Sequence, residues 1–318
     1  MTAPRALWIT GPGAAKLRPA ALIEGEVEVE TLYSGISRGT EALVFRGEIP
    51  ESEWTRMHCP LQEGDFPFPV KYGYAAVGIV RRGPSHLQGR TVFVLHPHQD
   101  RFAVPEAMAV PLPDGLPPQR AVLAANMETA LNIVWDGKVA PGDRVAVIGA
   151  GVVGALAATL CTAIPGAEVT LVDVNPDRAT LAQALGCAFA RPEACPTDCD
   201  VVIHASATSD GLATALSAAG IEARVVEASW YGTRTVAAPL GEAFHSRRLA
   251  IIASQVGLVP ASRRARWSTR RRLETALRLL DNNCLEALIS AETRFDDLPA
   301  SYGAILADPA TLCHRIRY

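Results

Sequence analysis

The sequence is short of charge, of long apolar runs and of paired cysteines, and each shortage excludes something. Charged residues make up 20% of the chain and the formal net charge is −3. That composition is globular and gives no global reason to expect a nucleic-acid partner. No apolar run approaches the ~20 residues of a membrane-spanning helix, and the opening MTAPRALWITGPG has no apolar core of the kind a secretory leader carries. The expectation is a soluble chain without a membrane partner. The seven cysteines, at 59, 161, 187, 195, 199, 284 and 313, are odd in number and scattered, which suits reduced thiols in a cytoplasm. Cys195 and Cys199 have no matching second pair and read as part of a surface loop. Repeats and low-complexity linkers are missing too. What is present, 318 residues that are 49% apolar, suffices for two domains with two sizeable cores.

The chain is organised around one stretch. Residues 145–148, Val-Ala-Val-Ile, form the short apolar run of a strand buried on both faces. Gly149, Gly151 and Gly154 follow in the spacing G-x-G-x-x-G, and the helix formers of 155–160 lead to a stop at Pro165-Gly166. A second strand over 168–172 ends on Asp173. In this arrangement Gly149 allows the tight strand-to-helix turn and Gly151 lets the backbone approach a diphosphate. Gly154 lets the helix pack close to the sheet, and Val152 and Val153 open that helix. Asp173 would accept hydrogen bonds from the adenosine ribose hydroxyls and repel a 2′-phosphate. These features predict a bound dinucleotide, NAD(H) in preference to NADP(H). Val174 would flank the ribose, and Arg178 is able to swing toward a 2′-phosphate.

Residues 1–117 read as β-rich, with strands over 6–9, 27–32, 75–80 and 91–95 and a turn at Gly11-Pro12-Gly13. From Pro117 the pattern turns helical over 120–125 and 129–135. After Asp173, Asn175 is placed to cap a helix beginning at Pro176. Strands over 201–204, 224–228 and 249–253, with a helix over 212–218, predict a six-stranded, doubly wound parallel sheet. The tail holds a helix over 270–280, a strand near 287–290, a helix over 298–306 and a last short strand.

A β-rich N-terminal part, a helix leading through Val139-Ala140-Pro141-Gly142-Asp143-Arg144-Val145 into a Rossmann unit, and a returning tail together resemble the medium-chain dehydrogenase/reductase superfamily. The segment Tyr33-Ser34-Gly35-Ile36-Ser37-Arg38-Gly39-Thr40-Glu41 resembles the family's C-G-I-C-G-T-D. The segment Val70-Lys71-Tyr72-Gly73-Tyr74-Ala75-Ala76-Val77-Gly78 resembles its P-G-H-E-x-x-G. The resemblance implies a GroES-like catalytic domain over 1–117, a Rossmann domain over 118–256 and a return to the catalytic domain over 257–318. It also implies an oxidoreductase and a homodimer. The departures bear on mechanism. Ser37 stands where the family's catalytic zinc has a cysteine, and Tyr74 and Ala75 stand for its histidine and acid, so neither thiolate nor imidazole is supplied. Residues 125–129 resemble the zinc-less quinone-reductase branch, and the cysteine-rich structural-zinc lobe is missing. The S-G-I-S-x-G-T-E variant also resembles the branch with bacteriochlorophyllide dehydrogenases. No metal is therefore expected.

Without zinc, a carbonyl oxygen developing negative charge needs other donors. Tyr74, Thr40, Lys71 and His98 are the available types near the matched positions, with Ser37 beside them. Tyr74 reads equally as a core ring. Glu41 reads as a structural hydrogen-bond acceptor. His96, His98 and Asp100 share a face if extended and offer a His/His/carboxylate ligand set; the competing readings are a polar role for His98 alone or a surface loop. The run Arg263-Arg264-x-Arg266-Trp267 with Arg270-Arg271-Arg272 reads as a solvated helix face or as a seat for an anionic substrate group. The nicotinamide is expected near Thr129, Ala205, Ala228 and Ser254, in a cleft facing Ser37, Thr40, Tyr74 and His98. The functional expectation is a zinc-independent, NAD(H)-dependent oxidoreductase passing hydride between nicotinamide and a small carbonyl or alcohol substrate. An NADPH-dependent quinone or enoyl reductase and a nucleotide-binding protein without turnover are the alternatives.

Overall fold

The computed structural model describes residues 3–22 and 25–318. The chain divides into two compact units, which are described separately. The first takes the chain up to Ala125, together with Leu277–Asn282 and Ile289–Tyr318. Its larger sheet, with 7 strands among the described residues, runs in the order Ile289–Arg294, Cys313–Arg317, Val27–Ser37, Ala76–Arg82, Thr91–Val94 and Val110–Pro111, while Arg101–Val104 also pairs with Val27–Ser37. A 4-stranded sheet holds Ala14–Pro19, Arg5–Gly11, Val70–Lys71 and Glu63–Gly64.

The strand Val27–Ser37 shows why this unit folds as it does. Val27, Val29 and Thr31 are buried while Glu30 faces out, the period-two alternation of a sheet with one wet face. The valines join Val80, Val92 and Phe102 in a core cluster. Outward, Glu30 pairs with Arg81 and Glu28 with Arg82 across the strands. The C-terminal strand Cys313–Arg317 pairs antiparallel with the far end, Cys313 opposite Ser37 and Ile316 opposite Ser34. The tail thus completes the sheet that carries Ser37.

The second unit takes Asn126–Ala276 and Asn283–Leu288. Its parallel sheet has 6 strands in the order Ala188–Ala190, Glu168–Val172, Arg144–Ile148, Cys199–His204, Ala219–Glu227, Ala250–Ala253. This is the doubly wound arrangement expected, with the switch point between Arg144–Ile148 and Cys199–His204. Val145 to Val147 are at most 1% exposed, because helices on both faces leave such a strand no wet side.

Two boundaries differ from expectation. The units change at 126 and 277 rather than at 118 and 257. Buried Arg272 is the physical reason at the later one: Nε donates to Glu128 Oε1 (3.0 Å), Nη1 to Asn132 Oδ1 (2.8 Å) and Nη2 to the Val256 carbonyl (2.7 Å). These bonds tie the front of the helix Thr269–Leu279 to the Rossmann unit. The regular helix begins at Arg178 rather than Pro176, because the first turn is closed by tighter bonds, Arg178 N–H to Asn175 O and Ala179 N–H to Pro176 O, while Asn175 Oδ1 accepts from Asp177 N–H as a cap does.

Candidate functional site

The glycine loop lies at the end of the strand Arg144–Ile148, and its three glycines meet three different demands. Gly149 has φ 107°, and a Cβ there would stand 2.7 Å from Ser206 N. A Cβ on Gly154 would stand 2.0 Å from Gly149 O, so only glycine lets the helix Val152–Thr162 rise this close to the strand. A Cβ on Gly151 would meet nothing within 4 Å, which leaves an open approach to the backbone. Gly151 is also the N-cap and has no side chain to cap with. The helix therefore offers its leading N–H groups, at Val152, Val153 and Gly154, to an anion.

Asp173 is fixed beside this loop. Its Oδ2 accepts from Ala150 N–H (2.7 Å) and its Oδ1 from Asn175 N–H (2.8 Å). Each carboxylate oxygen keeps a lone pair for a ribose hydroxyl. Val174, 72% exposed, follows it, and Arg178 opens the next helix. Ala205 N–H donates to Ile148 O, Ala228 N–H to His204 O and Ser254 N–H to Glu227 O. Three of the four residues expected near nicotinamide thus form a step-by-step bridge along adjacent strand ends. Ser254 Oγ also donates to Asp136 Oδ2 (2.8 Å), and Thr129 lies within the helix Ala124–Gly137 of the same unit. The residues present fit a dinucleotide.

A polar network that the sequence reading missed joins these strand ends. His204 is fully buried; its Nδ1 lies 2.7 Å from Glu227 Oε2 and its Nε2 2.7 Å from Ser206 Oγ. Tyr231 OH donates to the same Glu227 oxygen (3.0 Å), and Ser229 N–H donates to Glu227 Oε1 (2.8 Å). Burial pushes the Glu227 carboxyl up, but the bonds and charge of His204 and the donors from Ser229 outweigh it, so it titrates below the ordinary glutamate range. A signal was available. His204 and Glu227 each end an apolar strand, and the parallel register pairs them directly.

In the first unit Ser37, Thr40 and Tyr74 come together. Ser37 ends the strand Val27–Ser37, Thr40 lies in the first turn of the helix Arg38–Arg46, and both hydroxyls hydrogen-bond to the half-buried Tyr74. Burial first, and then the charge of Glu41, raises the phenol above its ordinary value, so Tyr74 stays protonated and able to donate. Glu41, 0% exposed, acts as the acceptor anticipated: Oε1 takes Ser37 N–H (2.7 Å), and Oε2 takes His98 Nε2 (3.0 Å) and Tyr302 OH (2.7 Å).

Two expected donors are placed otherwise. His98 is 0% exposed, with Nε2 on Glu41 and Nδ1 on Ser34 Oγ (2.8 Å). It faces inward, where it braces Glu41 beneath the hydroxyl cluster. Lys71 is 1% exposed and bonded to Glu63 and to Gln99 Oε1, so its ammonium is committed. Nor do His96, His98 and Asp100 share a face. His96 stacks on Phe102 (centroids 3.8 Å apart) and bonds the Pro97 carbonyl, with its pKa pushed down to about 3, by burial chiefly and by the Lys71 charge. Asp100 pairs with Arg5. Proline at 97 and the inward pull of Glu41 break the extended geometry that a shared face requires.

The zinc of related dehydrogenases does not fit these residues. At the matched positions Ser37, Tyr74 and Ala75 supply neither a thiolate nor an imidazole. Among the described residues no three His, Cys, Asp or Glu side chains gather as a metal would need. The basic run is divided: Arg272 is buried, Arg270 pairs with Glu274, and Arg271 lies 4.0 Å above the Trp267 ring. Arg263, Arg264 and Arg266 are exposed. Among the described residues no helix is long and apolar enough to cross a membrane.

Comparison with known proteins adds four findings. Residues 121–228 match the family model described as alanine dehydrogenase/PNT, C-terminal domain, a span that includes the glycine loop, Asp173, His204 and Glu227. The chain is 26% identical over 330 aligned positions to D-guloside 3-dehydrogenase of Escherichia coli (strain K12), covering 92% of this chain and 93% of that one. Among solved structures, L-idonate 5-dehydrogenase from Escherichia coli superposes with a TM-score of 0.79 at 15% identity, over 99% of this chain and 98% of that one. An oxidoreductase from Salmonella enterica in complex with NADP superposes with a TM-score of 0.71 at 18% identity, over 99% of each. At these identities the two structures speak for fold.

Proposed function

We propose that the chain is a nicotinamide-dependent oxidoreductase of the medium-chain dehydrogenase/reductase superfamily that interconverts a secondary alcohol of a sugar or polyol with its ketone, without zinc. The observation that carries this reading is the glycine loop with an open face at Gly151 and the Asp173 carboxylate held beside it by Ala150 N–H and Asn175 N–H. That carboxylate favours NAD(H), since a 2′-phosphate would meet its charge. The substrate class rests on the relative named for a guloside. Exposed Arg263, Arg264 and Arg266 suit an anionic group on it.

The cofactor, when bound, supplies or accepts the hydride. The protein's part is to hold the substrate oxygen and its proton. Tyr74, protonated and hydrogen-bonded to Ser37 and Thr40, donates to the oxygen as negative charge develops there. Glu41, anchored by His98 and Tyr302, fixes the Ser37 backbone and so the cluster's shape. The scattered thiols, all seven of them free, suit a reducing cytoplasm, and a homodimer is the assembly expected of the resemblance.

Stopped-flow oxidation of bound NADH by a panel of ketoses and aldonate-type ketones tests the reading. Activity should survive a strong chelator. Tyr74→Phe, which keeps the ring, should lower kcat about 10²–10³-fold, the usual loss for one such donor. Unchanged kcat on a verified substrate would remove Tyr74 from the role. Bound NADH that no carbonyl oxidises would favour a nucleotide-binding protein without turnover.

A further inference from the structure

The His204 network lies beside the cofactor loop. Ser206, bonded to His204 Nε2, is the residue whose backbone N a Cβ on Gly149 would strike. In a doubly wound sheet the diphosphate sits at the first strand, the adenosine goes toward the second, and the nicotinamide half passes over the ends of the strands beyond the switch point. With Asp173 marking the adenosine side, those are the ends of Cys199–His204 and Ala219–Glu227, where His204 and Glu227 stand paired. This inference therefore rests on the nicotinamide reading above.

The bonds allow two protonation states. Ionised Glu227 accepts from His204 Nδ1, from Tyr231 OH and from Ser229 N–H. Nδ1 therefore carries a proton, and Nε2, when unprotonated, accepts from Ser206 Oγ. In that state the pair bears one negative charge. Adding a proton at Nε2 turns Ser206 around, because Nε2–H then donates to Oγ and the serine hydroxyl is freed to donate outward, where Thr208 Oγ1 lies 3.0 Å away. Ser206 thus links the buried imidazole to the exposed Thr208. The other charged groups on the packed elements are exposed: Asp210 on the helix Ser209–Ala218, and Arg234, which lies 6.0 Å over the Tyr231 ring. On the neighbouring strand the residue beside His204 is Ile148, without charge.

We propose that the His204–Glu227 pair is a charge-compensating element for the nicotinamide, favouring the cationic oxidised ring while His204 is neutral and taking up one proton when the ring is reduced. The balance is simple. With the oxidised cofactor the ring contributes +1 and the pair −1. Hydride arrives at the ring with its electron pair from the substrate C–H bond, and the proton lost from the substrate hydroxyl is matched by one bound at His204 Nε2 through Ser206. Ring and pair then both stand at zero. Each redox state is locally neutral, which a poorly solvated strand end favours over an uncompensated charge.

The test reads binding rather than turnover. Dissociation constants for NAD+ and NADH are measured on the wild-type chain, Glu227→Gln and His204→Asn, with proton uptake on binding followed by an indicator dye in weak buffer. Glu227→Gln keeps the shape but loses the charge and should weaken NAD+ relative to NADH by about five- to tenfold. Glu227→Asp should restore part of the ratio. The wild type should take up more protons on binding NADH than on binding NAD+, and His204→Asn should show no such difference. A ratio within twofold of wild type in Glu227→Gln, or unchanged proton uptake in His204→Asn, overturns the proposal. Should the variants fail to fold, the wild type decides alone, because a Kd ratio that stays flat from pH 5.5 to 8.5 is incompatible with the linkage. Failure of the wild type to bind either cofactor would instead remove the nicotinamide reading, and the pair's role with it.

Discussion

The buried Arg272 sets a test of the Rossmann unit that needs no substrate. Its side chain is 3% exposed and that of its partner Glu128 5%. The guanidinium makes three bonds, to Glu128, Asn132 and the Val256 carbonyl. Replacing it by methionine keeps an apolar stem in the same channel and removes the charge with all three donors. A buried ion pair broken on one side typically costs about 3–5 kcal/mol, because the remaining charge is stranded. That is a large fraction of the ~5–15 kcal/mol that holds an ordinary domain together.

The same site fixes how this loss depends on pH. Burial raises the Glu128 pKa and Arg272 opposes that rise; without Arg272 the rise is larger. An acid whose folded pKa lies above its unfolded value binds its proton more tightly when folded. The penalty is therefore absent below the unfolded pKa of ~4.3 and grows as pH rises toward the folded one. Urea unfolding of Arg272→Met, followed by tryptophan fluorescence, should show a loss of about 3–5 kcal/mol at pH 8 and about 1–2 kcal/mol less at pH 4.5. Adding Glu128→Gln should recover part of the loss at pH 8 and little at pH 4.5. A loss under ~1 kcal/mol at pH 8, or one indifferent to pH, would refute the account of this pair.

The loop and its neighbours supply two further tests. Gly154→Ala should lower both thermal stability and cofactor affinity, since its Cβ would stand 2.0 Å from Gly149 O, whereas Gly151→Ala, with nothing within 4 Å, should keep the melting temperature and lose about tenfold in affinity; equal effects on melting would contradict the separate roles. Asp173→Ala should narrow the gap between NADH and NADPH affinities by about tenfold and, by freeing Ala150 N–H and Asn175 N–H, cost about 1 kcal/mol of stability. Tighter NADPH binding by the wild type would overturn the cofactor preference.

The parts of the fold legible in the sequence were those specified by neighbours along the chain. The run 145–148, the glycine spacing and Asp173 all lie within 29 residues of one another, and local periodicity with turn chemistry is enough to read them. Five strands of the Rossmann unit followed for the same reason, each an apolar run closed by a turn, whereas the edge strand Ala188–Ala190, three residues long, did not stand out. Helix starts were less legible. Asn175 caps Asp177 N–H as its type suggests, yet the turn through Pro176 closes with i to i+3 bonds and the regular helix starts only at Arg178.

What escaped the sequence was set by partners distant along the chain. Tyr302 reaches Glu41 across 261 positions and Arg272 reaches Glu128 across 144. His98 has the chemistry of a donor, and what directs it inward is a carboxylate 57 positions away. Lys71 is spent on Glu63 and Gln99 in the same way. The triad 96, 98 and 100 therefore failed as a ligand set, although each residue type was suitable, because three separate partners claimed the three side chains. His204 and Glu227 point to the reading that would have worked. In a parallel sheet buried on both faces, a polar residue that ends an apolar strand has no solvated side to turn to. It must find a partner at the end of an adjacent strand or bear an unmet desolvation cost. Two such residues on strands adjacent in the doubly wound order are therefore a contact written in the sequence, once that order has been inferred.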